Sequence, residues 1–518
     1  MKAFPSIFND VIGPVMRGPS SSHCAAALRI GRIARDLMKN EISGIRLKFD
    51  TMGSLASTHK SQGSDMGLLS GLLGFNPADE ELLNYEKNFE ASGIKLTVEY
   101  AELNLPHPNT YEIYLENGRT SHTITALSTG GGIIEIIGLD GARVSIAGDF
   151  YETLIFGNTS SDIADKLYNE LKPDFISVIN GDKCFIEIKT SIPIKSSSLN
   201  AICQSADISE IVQLNPVLPV LSSNPVAVPF TSAGEMAEYN REKHLELWEL
   251  ALEYEAMRGG MTKEDVFGKM KEIVGIMTAS IENGLRGTEY GDRILPSQSP
   301  NFHRLMEEGK LLGDGLTNLI TLYTTAIMET KSSMGVVVAA PTAGSCGSVA
   351  GPVIAAAHFL RLQEETLVKG MLIAGLIGVF IAHRSTFAAE EAGCQAECGS
   401  GSGMAAAALA FLSGGTLNQS LAAASMALQN SFGMTCDPIA ARVEAPCLGK
   451  NVLAGVNALA CANMALAGFK HLVPLDEVID AFDKTGRSLP RELRCTALGG
   501  LSVTESSKKI ENELRKIN

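Results

Sequence analysis

Apolar residues recur along this chain with two different periods, and the change from one to the other divides it. In the first part short segments alternate: IRLKF at 45–49, KLTVEY at 95–100, TYEIYL at 110–115 and IIEII at 133–137 read as strands of period two. Asn117-Gly118 is a hairpin signal. Together these predict a mostly antiparallel sheet flanked by helices. One helix is announced by MRGPSSSHCAAALRIGRIARDL, where Ala26, Ile30, Ile33 and Leu37 share a face and Ser20, Ser21 and Ser22 stand as N-cap candidates.

From Thr231 onward the strand signals nearly vanish. Thr262 with Asp265 makes a capping pattern, after which Val266, Met270, Ile273, Met277 and Ile281 line one helical face. Segments around Leu316 to Met328, Met404 to Leu412 and Leu421 to Leu428 are apolar nearly all round and rich in alanine, which predicts interior helices in close contact. The apolar run Met371 to Ala382 falls short of the roughly twenty residues that span a bilayer, so it reads as a buried helix. The expected fold is an α+β N-terminal domain followed by a large all-α catalytic domain. Its divisions are 1–142 (α+β), 143–195 (a small β-α-β-like unit), 196–230 (a Ser- and Pro-rich linker) and 231–518 (helical).

Composition narrows the function. With 518 residues, 45% hydrophobic and 19% charged, the chain can bury a large core in two or three domains. A net charge of −15 opposes binding to nucleic acid or an anionic membrane, both of which need a basic patch. The opening MKAFPSIFNDVIG lacks the regions of a signal peptide, and ten cysteines without a disulfide pattern point to a reducing cytoplasm.

Four of those cysteines, Cys394, Cys398, Cys436 and Cys447, fall between Glu391 and Asn451. None forms a CxxC pair, which argues against a zinc ribbon or thioredoxin-type site. Each adjoins a glycine, a proline or a tight turn that lets the backbone aim a thiolate at a shared point, as an iron–sulfur cluster requires. The competing reading is that they are small buried hydrophobes. Cys184, Cys203 and Cys461 are left to that reading.

The phrases PTAGSCG (341–347), AGCQAE (392–397), TCDP (435–438), APC (445–447) and GPSSSH (18–23) resemble those of the iron–sulfur-dependent L-serine dehydratases. The resemblance implies that Cys394, Cys436 and Cys447 hold a 4Fe-4S cluster by three irons. The fourth iron is then open to act as a Lewis acid on the β-hydroxyl of a small amino-acid substrate while a base removes the α-proton. Pyruvate and ammonia are the implied products. Ser20, Ser21, Ser22 and His23 become substrate-site or domain-interface candidates. Thr342, Ala343, Gly344 and Ser345 become a cradle for the substrate carboxylate.

The family's HPN histidine corresponds to His107. Where the family reads GKGHG this chain reads HKSQG, and Gln62, an amide, cannot move a proton. His59 is the substitute; His107 and His59 are the candidates for the base, and His23 is expected to fix the carboxylate-binding loop. The terminus ELRKIN has no thiol to cap the fourth iron, which leaves Cys398 and Cys495 as the residues that would close it. Residues 143–195 resemble an ACT-type module without its ligand-gripping glycine turn.

A homodimer acting on a small amino acid is the expected assembly. Another β-substituted amino acid (threonine, cysteine), a hydroxy acid, or a non-catalytic redox sensor are the alternatives. Gln62, Cys24, Gly449 and Lys450 motivate the change of substrate, the last two standing where the family usually has ER. Pyridoxal phosphate is set aside, because Lys60 is the one lysine in a candidate loop and its setting is that of a solvated charge.

Overall fold

The computed structural model describes residues 4–516 apart from 106, 158–159, 204–206 and 314, so the outermost ends of the two expected domains lie outside the described residues. The first domain is built on six strands. Their order is Lys95–Ala101, Gly44–Asp50, Thr110–Glu116, Ser121–Gly130, Ile133–Leu139 and Ala142–Ile146. The first pair is parallel and the rest are antiparallel. Alternation puts Tyr111, Ile113 and Leu115 in the core beside Ile45, Leu47 and Phe49.

The Asn117-Gly118 turn forms as expected, with Gly118 at φ 80° and Asn117 Oδ1 accepting from the amides of Arg119 and Thr120 at 3.0 and 2.9 Å. The strand after this turn departs from expectation. Ser128 to Gly132 has the polar, glycine-rich composition of a loop, yet Ser121–Gly130 is a central strand whose inward side chains include His122, Ile124, Ala126 and Ser128. Its threonines and serines hide the period of two.

Helices Ala26–Leu37 and Ser64–Leu73 pack together behind the sheet. They cross closely because Gly67 and Gly71 carry no side chain. A Cβ there would stand 2.0 Å from Cys24 O and 2.1 Å from Leu28 O.

A second sheet has the order Ile208–Leu214, Tyr151–Gly157, Phe185–Thr190, Phe175–Ile179, antiparallel throughout. With helices Ser161–Leu171 and Ser196–Cys203 it is a β-α-β-β-α-β unit of ferredoxin-like order. The unit therefore runs past 195 into the stretch expected to be a linker. KSSSLNAIC looks like a linker because of its serines, but Leu199, Ile202 and Cys203 bury against Ile186 and Ile188.

The remainder is nearly all helical, and the Thr262 capping box forms as expected. One helix, Glu364–Arg384, is long and apolar enough to cross a membrane by length and composition. Here it is a core helix, with Leu367 to Ile381 buried on almost every side by protein.

The chain's first segment belongs to this helical core. Ile7, Phe8, Val11, Ile12 and Met16 are fully buried within it, and Val15–Met16 pairs antiparallel with Val337–Val338. The segment is fastened by Glu255, which accepts from Ser6 Oγ (2.5 Å) and the Ile7 amide (2.7 Å) and whose carboxyl is pushed up to about 7 by burial.

Candidate active site

The thiols meet where four pieces of the helical domain converge. Cys394 follows Gly393, whose φ of 72° turns the chain sharply, and Cys398 lies in the next turn. Cys447 begins the helix Cys447–Leu466. Cys436 is extended and pairs in parallel with the 493–495 stretch: its amide donates to Leu493 O at 2.8 Å, and the Cys495 amide donates to Cys436 O at 3.0 Å. Cys394, Cys398, Cys436 and Cys495 thereby form one buried cluster with Ala389, Ala454 and Met434 around them.

Burial and neighbouring sulfur favour the neutral thiol at Cys398, Cys436 and Cys447 and leave Cys394 as the one held low. The Cys398 thiol bonds to Cys394 and, with the Lys450 ammonium nearby, holds Cys394 below the usual thiol range. Cys436 is pushed well up by its bond to Cys495 and by burial, and Cys447 is pushed up by burial and by the charge of Cys394. Lys450 donates to Asp437 Oδ1 at 2.7 Å and Thr435 O at 2.5 Å. Burial opposes its charge, but Cys394 and Asp437 outweigh it and raise its pKa. Among the described residues no group of three His, Cys, Asp or Glu converges on a single metal ion.

The first domain brings its histidines to the same border at three depths. His107 faces a cleft of about 610 Å³ between the domains, its Nε2 2.8 Å from Glu391 Oε1 while its Nδ1 accepts from the Asn109 amide at 3.1 Å. That amide fixes the ring proton on Nε2. The Glu391 carboxyl is held low by His107 and Arg487 against the opposing effect of burial.

His23 is fully buried, between Ser20 Oγ (3.1 Å) and Thr58 Oγ1 (2.9 Å), and burial lowers its pKa despite Glu390 at 3.6 Å. His59 does not line the cleft; its two ring nitrogens are spent on Asp65 and Tyr100, each at 2.7 Å. Gln62 lies against the thiol group, its Nε2 3.6 Å from Cys495 Sγ.

The two serine- and glycine-bearing turns touch across the border, since the Ala343 amide donates to Ser21 Oγ at 3.1 Å; within the first domain Ser128 Oγ donates to Ser22 O at 2.6 Å. The serines were expected to cap the Ala26–Leu37 helix. None of Ser20, Ser21 and Ser22 does so by its hydroxyl in the way expected; Ser20 reaches His23 and Ser21 the other domain instead. Around Thr342–Ser345 the polar groups are turned inward: Thr342 Oγ1 donates to Glu397 at 2.6 Å and accepts from the Ser345 amide at 3.2 Å, and Gly344 O accepts from Asn451 at 2.9 Å. Burial and the charge of Cys394 push the Glu397 carboxyl up to about 8.

Several charged residues of this border carry no signal at the level of sequence. Lys331 is fully buried and donates to Val443 O; Glu390 and Arg494 line the cleft beside His107. Lys331 alone leaves a trace, a charge ending the apolar helix Gly315–Ser332. Lys60, by contrast, is exposed.

Comparison with known proteins gives two family matches, the serine dehydratase alpha chain over residues 242–502 and the serine dehydratase beta chain over residues 10–102. The probable L-serine dehydratase alpha chain of Bacillus subtilis is 35% identical over 285 residues, covering 55% of this chain and 95% of that protein. The L-serine dehydratase alpha chain of Peptoniphilus asaccharolyticus is 37% identical over 290 residues, covering 55% and 98%. L-serine dehydratase 1 of Escherichia coli is 26% identical over 518 aligned residues, 94% of this chain and 96% of that one.

Proposed function

The chain belongs to the serine dehydratase family, and from that premise we propose that this L-serine ammonia-lyase works with a 4Fe-4S cluster held by Cys394, Cys436 and Cys447. The donor set supports the assignment, because all three are buried sulfurs: Cys394 and Cys436 share one buried cluster, and Cys447, packed in the adjoining helical core, feels the charge of Cys394, so that a cationic core between them would relieve the repulsion of their thiolates. A cluster held there would supply Lewis-acid chemistry that makes the β-hydroxyl a better leaving group.

The chain's own groups handle the rest. His107 is the base: Nδ1 exchanges its bond from the Asn109 amide for the α-proton, and Glu391 with Arg487 stabilises the imidazolium that forms. His23, kept neutral by burial, holds the Ser20–Ser22 turn and Thr58 in place. His59 braces the same loop from below through Asp65 and Tyr100, and Gln62 contributes an amide with no part in proton transfer. Thr342–Ser345 and Ser20–Ser22, bonded to each other and buried, brace the domain border beside the cleft without lining it. Loss of water leaves aminoacrylate, which tautomerises to an imine, takes up water and releases ammonia and pyruvate.

The observation that carries this reading is the gathering of thiols directly behind Arg494 and Thr496 on the wall of the cleft that His107 faces. Anaerobic protein is expected to be brown, to hold about four irons per chain and to turn L-serine into pyruvate faster than it turns threonine into 2-oxobutyrate or acts on cysteine or a hydroxy acid. Stoichiometric zinc without iron would overturn it. Cys394→Ala, Cys436→Ala and Cys447→Ala each lose the visible absorbance, whereas Cys184→Ala keeps it. Cys398→Ala and Cys495→Ala also keep it if the fourth iron is open.

We further infer a homodimer in a reducing cytoplasm. Ten free cysteines and the exposed Phe469 and Leu472 support this. Sedimentation at the mass of one chain would refute the dimer.

A further inference from the structure

Two charged side chains on the wall of the cleft have hydrogen-bonding capacity that nothing among the described residues uses. Glu390 is 6% exposed; its Oε1 lies 3.6 Å from His23 Nδ1, and its Oε2 is buried without a partner. Arg494 gives Nη1 to Glu391 O at 3.0 Å, and its Nε is buried without an acceptor. Among the described residues, no other charged side chain of the cleft has a buried polar atom without a hydrogen bond. Asp50 accepts from the amides of Met52 and Leu105, both at 2.9 Å, Glu391 spans His107 and Arg487, and Arg491 donates to Met52 O at 2.8 Å. One carboxylate and one guanidinium are left over, of opposite sign, in one cleft.

A buried ionic group without a partner is costly, and a ligand that supplies the partner recovers that cost. The matching ligand here has a cation at one end and a carboxylate at the other. Both residues also flank the thiols: Glu390 stands four positions before Cys394, and Arg494 lies between Leu493 and Cys495, whose backbones pair with Cys436. The Thr342–Ser345 turn, with its polar groups already bonded within the protein, shapes the site without answering a charge.

We propose that Glu390 and Arg494 are the two ends of an amino-acid clamp. Glu390 Oε2 accepts the α-ammonium, the Arg494 guanidinium takes the α-carboxylate, and the β-carbon of a three-carbon substrate between them is turned to the thiols. The clamp rests on the dehydratase reading and deepens it: the site selects zwitterionic α-amino acids and rejects the corresponding hydroxy acids, because a hydroxyl in place of the ammonium leaves Glu390 unanswered.

The test uses the anaerobic holoenzyme and three ligands: L-serine, 3-hydroxypropionate, which lacks the amino group, and ethanolamine, which lacks the carboxylate. Each is measured as substrate or competitive inhibitor and, independently, by calorimetric binding. Glu390→Gln is expected to weaken L-serine and ethanolamine at least tenfold, seen in KM more than kcat, and to leave 3-hydroxypropionate unchanged. Arg494→Met is expected to weaken L-serine and 3-hydroxypropionate tenfold and spare ethanolamine, with Arg494→Lys recovering part of the loss and showing that the fold survives. Equal weakening of all three ligands by both variants, or no change, would overturn the clamp. A parent that binds in this pattern but forms no pyruvate would overturn the dehydratase reading and leave the clamp standing.

Discussion

The helical domain and the four-stranded module bury carboxylates in opposite ways. In the helical domain three buried carboxylates away from the cleft each meet the backbone of another segment. Glu255 takes the Ile7 amide, Glu329 takes those of Gln298 and Ser299 at 2.5 and 3.2 Å, and Glu444 takes those of Ile294 and Leu295 at 3.0 and 3.1 Å. In the module Glu152 and Glu187 lie beside one another and share Lys189, at 3.2 and 3.7 Å, the longer contact being to a Glu187 Oε1 that is buried without a hydrogen bond, as is Glu152 Oε2. Buried charge fastens loops onto the catalytic core. In the module two carboxylates instead compete for one lysine.

The sharpest way to break the contrast is to remove a fastening carboxylate. Glu329→Leu strands the buried donors of Gln298 and Ser299 and is expected to cost about 4 kcal/mol by chemical denaturation. Next is Gly284→Ala, where a Cβ would stand 2.1 Å from Ala326 O and 2.5 Å from its Cα. Because the obstacle is backbone, the two helices must separate, at about 3 kcal/mol. A cost under about 1 kcal/mol would show that this core yields.

In the module the effect is smaller and depends on pH. Burial raises the Glu152 carboxyl well above the usual 4.5, so folding takes up a proton. The associated stability is full below about pH 4.5 and is lost as pH rises through the raised folded value. Hydrogen exchange in the strand Phe185–Thr190 should therefore quicken from about pH 5 to 8 beyond the intrinsic base-catalysed increase in the parent, with a flatter profile in Glu152→Gln. An unchanged profile would mean that the pair is relieved in solution. The smallest effect lies in the same helix as Gly284: Gly275 has nothing within 4 Å of its Cβ position, and Gly275→Ala is expected to stabilise by about 0.7 kcal/mol, raising Tm.

Legibility in the sequence followed the range of the forces involved. The face of Val266, Met270, Ile273, Met277 and Ile281 and the Thr262 capping box are local, and the helix Lys263–Leu285 buries those five residues. The Asn117-Gly118 hairpin is equally local. Ser121–Gly130 was obscured because burial between two strands, and not side-chain type, gives it its period. The meeting of Cys495 with Cys436, of Gln62 with Cys495, and of Ser21 with Ala343 depends on contacts over long separations, which leave no pattern in either partner's surroundings. Glu390 and Arg494 read as ordinary surface charges until the fold leaves them without partners.

The segment Ile7–Val11, buried against the helix Glu364–Arg384, also sets an order of events during synthesis. A ribosome adding about 5 to 20 residues per second needs roughly 20 to 70 seconds to produce the surface on which this segment rests. Until then Ile7, Phe8 and Val11 are sticky to any passing hydrophobe, and the half made first cannot be finished before the half made last.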